Sequence, residues 1–371
     1  MVHALRSLLW GGLGVVAFGA TGELVCRILP VSTSTSTSYR IAPLILTYPP
    51  HTQIAAATGW DLKNAQQLRT NNLGFVSEHD FTPDPSAVAL IGDSFVEAAM
   101  LDAPQRPGAQ LAQRLGPARP VYAMGCGGTS LLDYAERVRY ASQHLKVRDF
   151  VVFVDGGDVH QSLCGSGNHN GPCLDPKNLA PATELRAEAN TLKRIVRKSA
   201  LAQYLFSQLK VSPDQLWPAL LALPGSVLPL GHGVAAARPP PSPALGIAPE
   251  VADLIASTFL DRVRPHVSGR LVLVINSPQA GAQPDHAHED NLRLAALARA
   301  QGVTVVPMRE AYLAHAARSP LSLYVGPYDH HLNGLGTALV AEVTVKALQA
   351  AAPWPLARTS TTPVKAVSAG R

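Results

Sequence analysis

Apolar and polar residues alternate along this chain in blocks of strand length and helix length. Short, almost wholly apolar runs are typical of strands buried on both faces. Such runs cover residues 87–91, 120–125, 149–155, 270–277 and 302–308. Mixed apolar and polar stretches predict helices at 107–115, 130–145, 184–209, 251–263, 290–301 and 334–351. The alternation predicts an α/β fold, in which a parallel sheet carries helices on both faces.

The segments outside this alternation divide the chain further. Residues 1–31 form an apolar N-terminal segment, and residues 32–85 follow as a polar linker and an extension. The α/β domain is predicted over residues 86–352. Within it, residues 212–250 are rich in Pro, Gly and Ala and predict an insertion or loop, and residues 353–371 predict a disordered tail.

The N-terminal segment is apolar over about the length of a membrane span. Arg6 precedes the apolar stretch 8–20, and Glu23 interrupts its continuation to Leu29. Three interpretations remain open: an uncleaved signal-anchor, a cleaved secretory signal with its best cleavage site at 17–19, and a core helix. We favour an anchor in the inner membrane, with the amino end in the cytoplasm and the rest exported to the periplasm. A secreted protein is the alternative.

Charge and cysteine usage narrow the classes of partner. The net charge is +5, but Lys and Arg cluster only at 193–198, which we interpret as the solvated face of a helix. Nucleic-acid binding is therefore not predicted. The four cysteines form no CxxC pair, and no metal or other cofactor is predicted. Cys164 and Cys173 bracket a Gly- and Asn-rich loop, and a disulfide between them is expected only in an oxidising compartment.

The first apolar run leads directly into Gly-Asp-Ser, in the stretch VALIGDSFVE at 88–97. In one interpretation, Gly92 forms a turn and Asp93 or Ser94 caps the following helix. In the other, Ser94 is a nucleophile, because open α/β sheets place their chemistry at the carboxyl ends of parallel strands. The stretch alone favours the turn, so the choice depends on residues elsewhere.

An activated serine needs a base, and the base needs a carboxylate that orients it. The stretch GPYDHHLNGLG at 326–336 places Asp329 two residues before His331, just ahead of the last predicted helix. Within one loop, the Asp329 carboxylate can reach the ring of His331. The alternative is that Asp329 caps a turn and that His330 and His331 both lie on the surface.

The two stretches together resemble the GDSL or SGNH hydrolase superfamily. Gly-Asp-Ser follows the first core strand, Asp-x-His-Leu-Asn precedes the last helix, and the resemblance extends over residues 86–351. The Glu-Leu-x-x-Arg stretch at 23–27 and NNLGF at 71–75 resemble the membrane-anchored bacterial-type subgroup. The resemblance implies a three-layer, flavodoxin-like α/β/α fold. It also implies hydrolysis or transfer of an acyl group on oxygen through a serine ester.

The resemblance implies a role for each candidate site residue. Ser94 becomes the nucleophile, and His331, the histidine followed by Leu-Asn, becomes the general base. Asp329 orients His331 and stabilises its charged form. In the oxyanion hole, the first donor is the backbone N–H of Ser94. The second is a glycine of the GCGGTS stretch at 125–130, where spacing favours Gly128.

The third donor of the family is an asparagine, and here Asp158 falls at its position. An ionised carboxylate beside a forming oxyanion would repel it. Three alternatives follow: Asp158 is protonated and donates from above Ser94, or it binds something else, or another donor substitutes. Asn168 and Asn170, in the loop that follows, are the candidates for that substitute.

Two functions of different classes follow from these residues. The first is an exported, membrane-anchored esterase or O-acyltransferase that acts on an acylated small molecule or glycan. The second is a non-catalytic carbohydrate-binding or assembly protein on the same fold. The missing asparagine favours the second function, whereas the retained Ser94, Asp329 and His331 oppose it. The N-terminal segment argues against a third possibility, a cytosolic lipase.

Overall fold

A computed structural model describes residues 2–33, 37–41, 44–57, 62, 64–166, 171–185, 191, 196–209, 211, 246–278, 286–326 and 329–354. Most of the predicted insertion (212–245) and all but the first two residues of the predicted tail (355–371) lie outside the described residues.

The elements of the described residues alternate much as the pattern predicts. The strands are β1 (Ser38–Ile41), β2 (Ile45–Thr47), β3 (Gln53–Ala56), β4 (Gln66–Arg69), β5 (Val88–Gly92), β6 (Val121–Gly125), β7 (Asp149–Val154), β8 (Gly171–Leu174), β9 (Pro181–Glu184), β10 (Leu271–Ile275), β11 (Thr304–Pro307), β12 (Tyr324–Gly326) and β13 (Asp329–Leu332). The helices are α1 (Val2–Ile28), α2 (Ser94–Glu97), α3 (Pro107–Leu115), α4 (Leu131–His144), α5 (Ala200–Ala202), α6 (Pro249–Val263), α7 (His286–Ala300), α8 (Arg309–Ala316) and α9 (Gly334–Ala350). One-turn 3-10 helices lie at Ala103–Gln105, His160–Ser162 and Arg264–His266, and α5 continues into a π-helical turn at Gln203–Gln208.

Five parallel strands form the central sheet, in the spatial order β11-β10-β7-β5-β6. Counted along the chain and read from the β6 edge, this is the order 2-1-3-4-5 of flavodoxin-like folds. The predicted α/β fold with a parallel sheet is confirmed.

Helices cover both faces of this sheet, because its strands are apolar on both sides. In β7, Phe150, Val152 and Val154 pack into the core beneath α4, α6 and α7. The alternate residues Val151 and Phe153 pack into the opposite core, beneath α3, α8 and α9. Side chains of a strand point alternately to the two faces, so one apolar run supplies both cores. The fold therefore has the three α/β/α layers that the family resemblance implies.

Four antiparallel hairpins surround the sheet: β1-β2, β3-β4, β8-β9 and β12-β13. The predicted helix at 184–209 is wrong at its start, because Glu184 pairs with Gly171 across the β8-β9 hairpin. Cys164 and Cys173 beside this hairpin form the expected disulfide, with their Cα atoms 5.2 Å apart. Backbone pairing with β8 therefore holds Glu184 in a strand, although its own sequence stretch favoured a helix.

The extension before β5 packs onto the central domain. Ile41, Ile45, Phe75 and Phe81 all lie in the same apolar core as α4. The ring of Phe81 stacks on that of Tyr122 in β6, with the centroids 4.5 Å apart. The extension therefore buries one side of the sheet and brings its own polar side chains close to the carboxyl ends of the strands.

Helix α1 stands largely clear of the rest of the protein. Its stretch Trp10–Ile28 is long and apolar enough to cross a membrane, and only 6% of the span is buried. A core helix of this composition would be mostly buried, so that interpretation is wrong. A membrane anchor and a signal sequence both fit the observed helix.

Candidate active site

The site lies where the order of the parallel strands reverses. Strands β5 and β7 are neighbours, but the chain runs from β5 to β6 on one side before it crosses to β7 on the other. Loops after two such strands leave toward opposite faces and open a crevice between them. Ser94 follows β5 and the turn at 155–158 follows β7, so both lie at this crevice.

The Gly-Asp-Ser stretch serves both of the roles that its sequence allows. Asp93 Oδ1 accepts a hydrogen bond from the N–H of Phe95 at 2.9 Å and so caps α2. Gly92 must lack a side chain, because a Cβ there would lie 2.6 Å from a methyl group of Val96. This tight turn from strand to helix leaves the Ser94 hydroxyl at the crevice.

Ser94, His331 and Asp329 lie in one hydrogen-bonded line. His331 Nε2 is 2.8 Å from Ser94 Oγ, and His331 Nδ1 is 2.5 Å from Asp329 Oδ1. Asp329 Oδ1 also accepts the backbone N–H of His331 at 3.0 Å. The ring of Phe95 packs beside the imidazole, with the centroids 4.6 Å apart. The structure thus brings together the three residues predicted as nucleophile, base and orienting carboxylate.

The asparagine that follows the histidine motif fixes the loop that carries it. Asn333 Oδ1 accepts the N–H groups of Leu335 and Gly336 and caps α9. Its amide nitrogen donates to the carbonyls of Ser322 and Tyr324 at the start of the hairpin. One side chain therefore joins the β12-β13 hairpin to the last helix, which determines where β13 presents its histidine.

The pairing of Asp329 with His331 sets the charge of both groups. Burial alone would raise the pKa of Asp329, but hydrogen bonds to His331 and the charge of His331 hold it below its usual value. Burial alone would lower the pKa of His331, but the bond to Asp329 and the charges of Asp329, Asp93 and Asp155 raise it. Asp329 is therefore an anion over the physiological range, and the proton affinity of His331 is increased.

Two further carboxyl groups, those of Asp93 and Asp155, lie close to this line. Burial raises the pKa of Asp93. Burial, followed by the negative charge of Asp93, raises the pKa of Asp155 to about 7. Asp155 is held by Asn276, whose amide donates to its Oδ1 at 2.6 Å. Asn276 in turn accepts from the hydroxyl of Tyr312 at 2.7 Å.

The described side-chain contacts of Asp158 are with its own turn and with α4, and not with Ser94. Its Oδ2 accepts the N–H of Asp155 at 2.8 Å, and its carboxyl also bonds to the hydroxyl of Tyr134. Burial, together with the charges of Asp93 and Asp155, raises its pKa well above the usual value. The raised pKa agrees with the expected neutral form of the Asp158 carboxyl. Its role as the third oxyanion donor stays a prediction. Asn168 and Asn170 lie outside the described residues.

The glycine loop after β6 carries Gly128, the predicted second oxyanion donor. The N–H of Gly127 donates a hydrogen bond to Glu97 Oε2 at 2.7 Å. Gly128 adopts a φ of +79°, which favours glycine. Among the hydrogen bonds of the described residues, none uses the N–H of Gly128. This loop packs against the nucleophile, since a Cβ on Gly127 would lie 3.5 Å from Cβ of Ser94. Gly128, the predicted second donor, therefore keeps a free N–H beside the site.

Sequence reasoning missed Glu97, a buried acid three residues after Ser94. Its Oε1 accepts from the hydroxyl of Tyr48 at 2.8 Å, while its Oε2 holds Gly127. Burial raises its pKa, and the bonds from Gly127 and Tyr48 oppose that shift. Glu97 thus connects the extension to the glycine loop. The available signal was a single acid within the otherwise apolar stretch FVEAAM.

The NNLGF stretch holds the other end of this connection. Asn71 Oδ1 accepts the N–H groups of Leu73 and Phe75, and the carbonyl of Gly74 accepts the N–H of Tyr48 at 3.1 Å. Gly74 has a φ of +82°, and any Cβ there would collide with the carbonyl of Tyr48. The stretch that suggested a subgroup therefore supports the site mechanically, through the backbone of Tyr48.

A buried arginine, Arg137 in α4, joins the carboxyl ends of β5 and β6. Its Nη1 donates to the carbonyl of Gly92 at 2.6 Å and to that of Met124 at 2.8 Å.

Within the described residues, no group of three His, Cys, Asp or Glu side chains is arranged to hold a metal ion.

Several solved structures are similar to this chain. A lipolytic protein of the G-D-S-L family from Veillonella parvula is 10% identical over 70% of this chain and 96% of its own, with a TM-score of 0.38. A lipase/acylhydrolase from Enterococcus faecalis is 11% identical over 72% and 97%, with a TM-score of 0.37. A carbohydrate acetylesterase from Sinorhizobium meliloti is 12% identical over 71% and 98%, with a TM-score of 0.36. No family model and no curated protein matches the chain.

The fold and the site together define a flavodoxin-like α/β protein. A hydrogen-bonded line of Ser, His and Asp lies at the crevice where its strand order reverses. In its motifs, the chain resembles the GDSL or SGNH superfamily.

Proposed function

We propose that this chain is a serine esterase or acyl hydrolase, or an O-acyltransferase, of the SGNH type. It acts on an ester-linked acyl group of a small molecule or a glycan. The observation that carries the proposal is the line from Ser94 Oγ through His331 to the Asp329 carboxylate. These are the three groups that serine acyl transfer requires, at hydrogen-bonding distances.

In the proposed reaction, Ser94 Oγ attacks the ester carbonyl while His331 Nε2 takes the hydroxyl proton. Asp329 stabilises the imidazolium that forms and does not itself take the proton. The C–O bond to the alcohol then breaks, and His331 returns its proton to the leaving oxygen. Water, or the hydroxyl of an acceptor, attacks the acyl-serine in the reverse sense and releases Ser94.

The negative charge on the carbonyl oxygen requires donors already in place. The N–H of Gly128 is the proposed main donor, beside that of Ser94, and losing one such donor typically costs about a hundredfold or more in rate. Glu97 supports this arrangement, because it binds the neighbouring N–H of Gly127 and so holds the loop. Asp158 is the proposed third donor, in its neutral form.

We further propose that α1 anchors the protein in the inner membrane and that the α/β domain lies in the periplasm. Helix α1 is apolar and exposed, with Arg6 near its amino end. The Cys164–Cys173 disulfide supports export, since such bonds persist in oxidising compartments.

The alternative is a non-catalytic carbohydrate-binding or assembly protein. The observation that favours it is the aspartate at 158, whose described side-chain contacts are with Asp155 and Tyr134 and not with Ser94. Such a protein would retain the fold without turning over an ester.

Covalent labelling tests the proposal against this alternative. We would treat the full-length, detergent-solubilised chain with a fluorophosphonate and locate the adduct by mass spectrometry, and follow cleavage of p-nitrophenyl acetate in parallel. The expected result is an adduct on Ser94, with labelling and cleavage both lost in Ser94→Ala. Ser257→Ala, which changes a serine on α6, serves as the matched control. A folded wild type that shows neither label nor cleavage would support the non-catalytic alternative.

A further inference from the structure

The carboxyl-terminal end of α1 is the part that contacts the rest of the protein. Trp10 and Phe18 are 72% and 80% exposed, whereas Cys26 is only 7% exposed. A Cβ on Gly22 would lie 3.2 Å from a methyl group of Leu201, so the helix surface meets α5 closely there. The contact begins inside the apolar span and not after it.

Glu23 forms the centre of this contact. Its Oε2 accepts from the hydroxyl of Ser199 at 2.7 Å and from the N–H of Leu201 at 3.0 Å. Its Oε1 accepts from the N–H of Ala200 at 3.1 Å and from Nε of Arg27 at 2.8 Å. Four donors therefore satisfy a carboxylate that interrupts an otherwise apolar helix, where an unpaired charge would be costly.

The position of Glu23 fixes the depth of its partners. The 19-residue span Trp10–Ile28 is about 29 Å long at about 1.5 Å per residue, close to the roughly 30 Å of a bilayer core. Glu23 lies five residues before its end, about 7.5 Å inside it. If α1 spans the membrane, residues 199–201, which bind Glu23, lie within about 8 Å of the boundary between acyl chains and headgroups.

The segment that follows α5 leaves the membrane together with the anchor. Gln208 Oε1 accepts the N–H of Ser32 at 3.3 Å, and the hydroxyl of Ser32 donates to the carbonyl of Ala57 at 2.9 Å. The anchor and this segment are therefore joined at Glu23 and again at Ser32, and they run in the same direction. From residue 199 to residue 208, this segment therefore runs outward from the depth of Glu23.

The residues immediately before Ser199 have the composition of an interfacial surface. Val196 is 38% exposed, Arg197 and Lys198 carry positive charge, and the N–H of Ser199 bonds to the carbonyl of Val196 at 3.1 Å. The side-chain amide of Gln203 also donates to the carbonyl of Arg197 at 3.2 Å, so residues 196–198 lie beside a part of the segment that is farther out than the partners of Glu23. Apolar side chains beside cations suit the boundary between acyl chains and anionic headgroups.

We infer that residues 196–198 form a second membrane contact, which rests in the headgroup layer and binds anionic phospholipid headgroups through Arg197 and Lys198. This inference depends on the proposed anchoring by α1. The clamp at Glu23 sets the depth of residues 196–198 and so fixes the orientation of the α/β domain on the membrane.

Lipid-borne quenching tests this contact in the full-length protein. An environment-sensitive fluorophore is placed on Val196→Cys, with Leu313→Cys on α8 as an exposed control and the parent chain, whose free cysteines Cys26 and Cys126 are buried, as the labelling blank. Each protein is reconstituted into nanodiscs of phosphatidylcholine, with and without phosphatidylglycerol. Brominated lipid reports contact with the bilayer, and iodide reports contact with water.

The expected result is at least about twofold stronger bromolipid quenching at position 196 than at 313, increased by phosphatidylglycerol. Lys198→Glu should remove the increase, whereas Lys346→Glu on α9 should not. Glu23→Ala should raise iodide quenching at position 196 while the protein stays in the membrane.

Two results would overturn the inference alone: quenching at position 196 by iodide as strong as at 313, or protection from both quenchers, which would indicate a protein partner. If phosphatidylglycerol does not increase bromolipid quenching at position 196, the part of the inference that concerns anionic lipid is wrong. Release of the chain from membranes by alkaline carbonate would instead overturn the anchor, and the inference with it.

Discussion

Two loops bring carboxyl groups to the same edge of the sheet and drive their protonation in opposite directions. In the β12-β13 hairpin, Asp329 faces His331, whose hydrogen bonds and charge hold its pKa below the usual value despite burial. In the turn after β7, Asp158 is buried next to Asp93 and Asp155, and its pKa is raised well above the usual value.

The difference shows that the neighbours of an aspartate decide its chemistry. With a histidine beside it, the carboxyl is an anion that can stabilise an imidazolium. Among other acids, the carboxyl keeps its proton and becomes a neutral group that can donate a hydrogen bond. The same amide substitution at these two positions should therefore have very different effects.

The largest effect is expected from Asp329→Asn. The amide fits the same space, but it cannot stabilise a positive His331 and can favour the wrong tautomer. We expect kcat for a p-nitrophenyl ester to fall about 10²- to 10⁴-fold. Asp175→Asn, a change in a surface turn, is the control. A loss of less than a few-fold at 329 would show that the carboxylate does not serve His331.

The pH dependence of kcat/KM should report the raised pKa of His331. The base must be neutral to accept the serine proton, so the rate should fall about tenfold per pH unit below that pKa. The midpoint should lie above the ordinary value of 6.5 for histidine. In Asp329→Asn the midpoint should move to lower pH, because the main group that raises the pKa has been removed. An unchanged midpoint would show that the fall of kcat/KM at low pH reports the titration of another group.

A smaller effect is expected at Glu97, which acts through the glycine loop. Glu97→Ala leaves the Gly127 N–H without its acceptor, and we expect kcat to fall about tenfold with KM nearly unchanged. Glu97→Gln can still accept from Gly127 and donate to Tyr48, so it should restore most of the rate. If the alanine variant melts earlier but retains full kcat, Glu97 is only structural.

The smallest effect is expected from Asp158→Asn. An amide can keep the contacts with the N–H of Asp155 and with the hydroxyl of Tyr134, and its nitrogen can donate as the neutral carboxyl is proposed to do, so kcat should change less than about threefold. Asp158→Ala, which removes both contacts, is the comparison and should be slower than Asp158→Asn. Loss of ester cleavage in Asp158→Asn, with Ser94 still labelled by fluorophosphonate, would mean that an ionised carboxylate is needed there.

Much of the core could be read from local patterns. The runs at 87–91 and 149–155 became β5 and β7, because burial on both faces demands apolar residues throughout. Helix α8 and the four hairpins were missed, since short elements leave little periodicity. The start of the predicted helix at 184–209 failed because Glu184 pairs with Gly171 on another strand.

The sequence by itself determined the alternation of strands and helices, the apolar α1, and which serine, histidine and aspartate were the candidates. These follow from periodicity and side-chain chemistry within a few residues. Only the tertiary structure decided the direction of each pKa, the link from Tyr48 through Glu97 to Gly127, and the clamp between Glu23 and Ser199. Each depends on groups brought together from distant parts of the chain, 49 residues apart in one case and 176 in another. Local pattern does not encode which distant neighbour fills a space, because packing and solvation fix that only once the chain has folded.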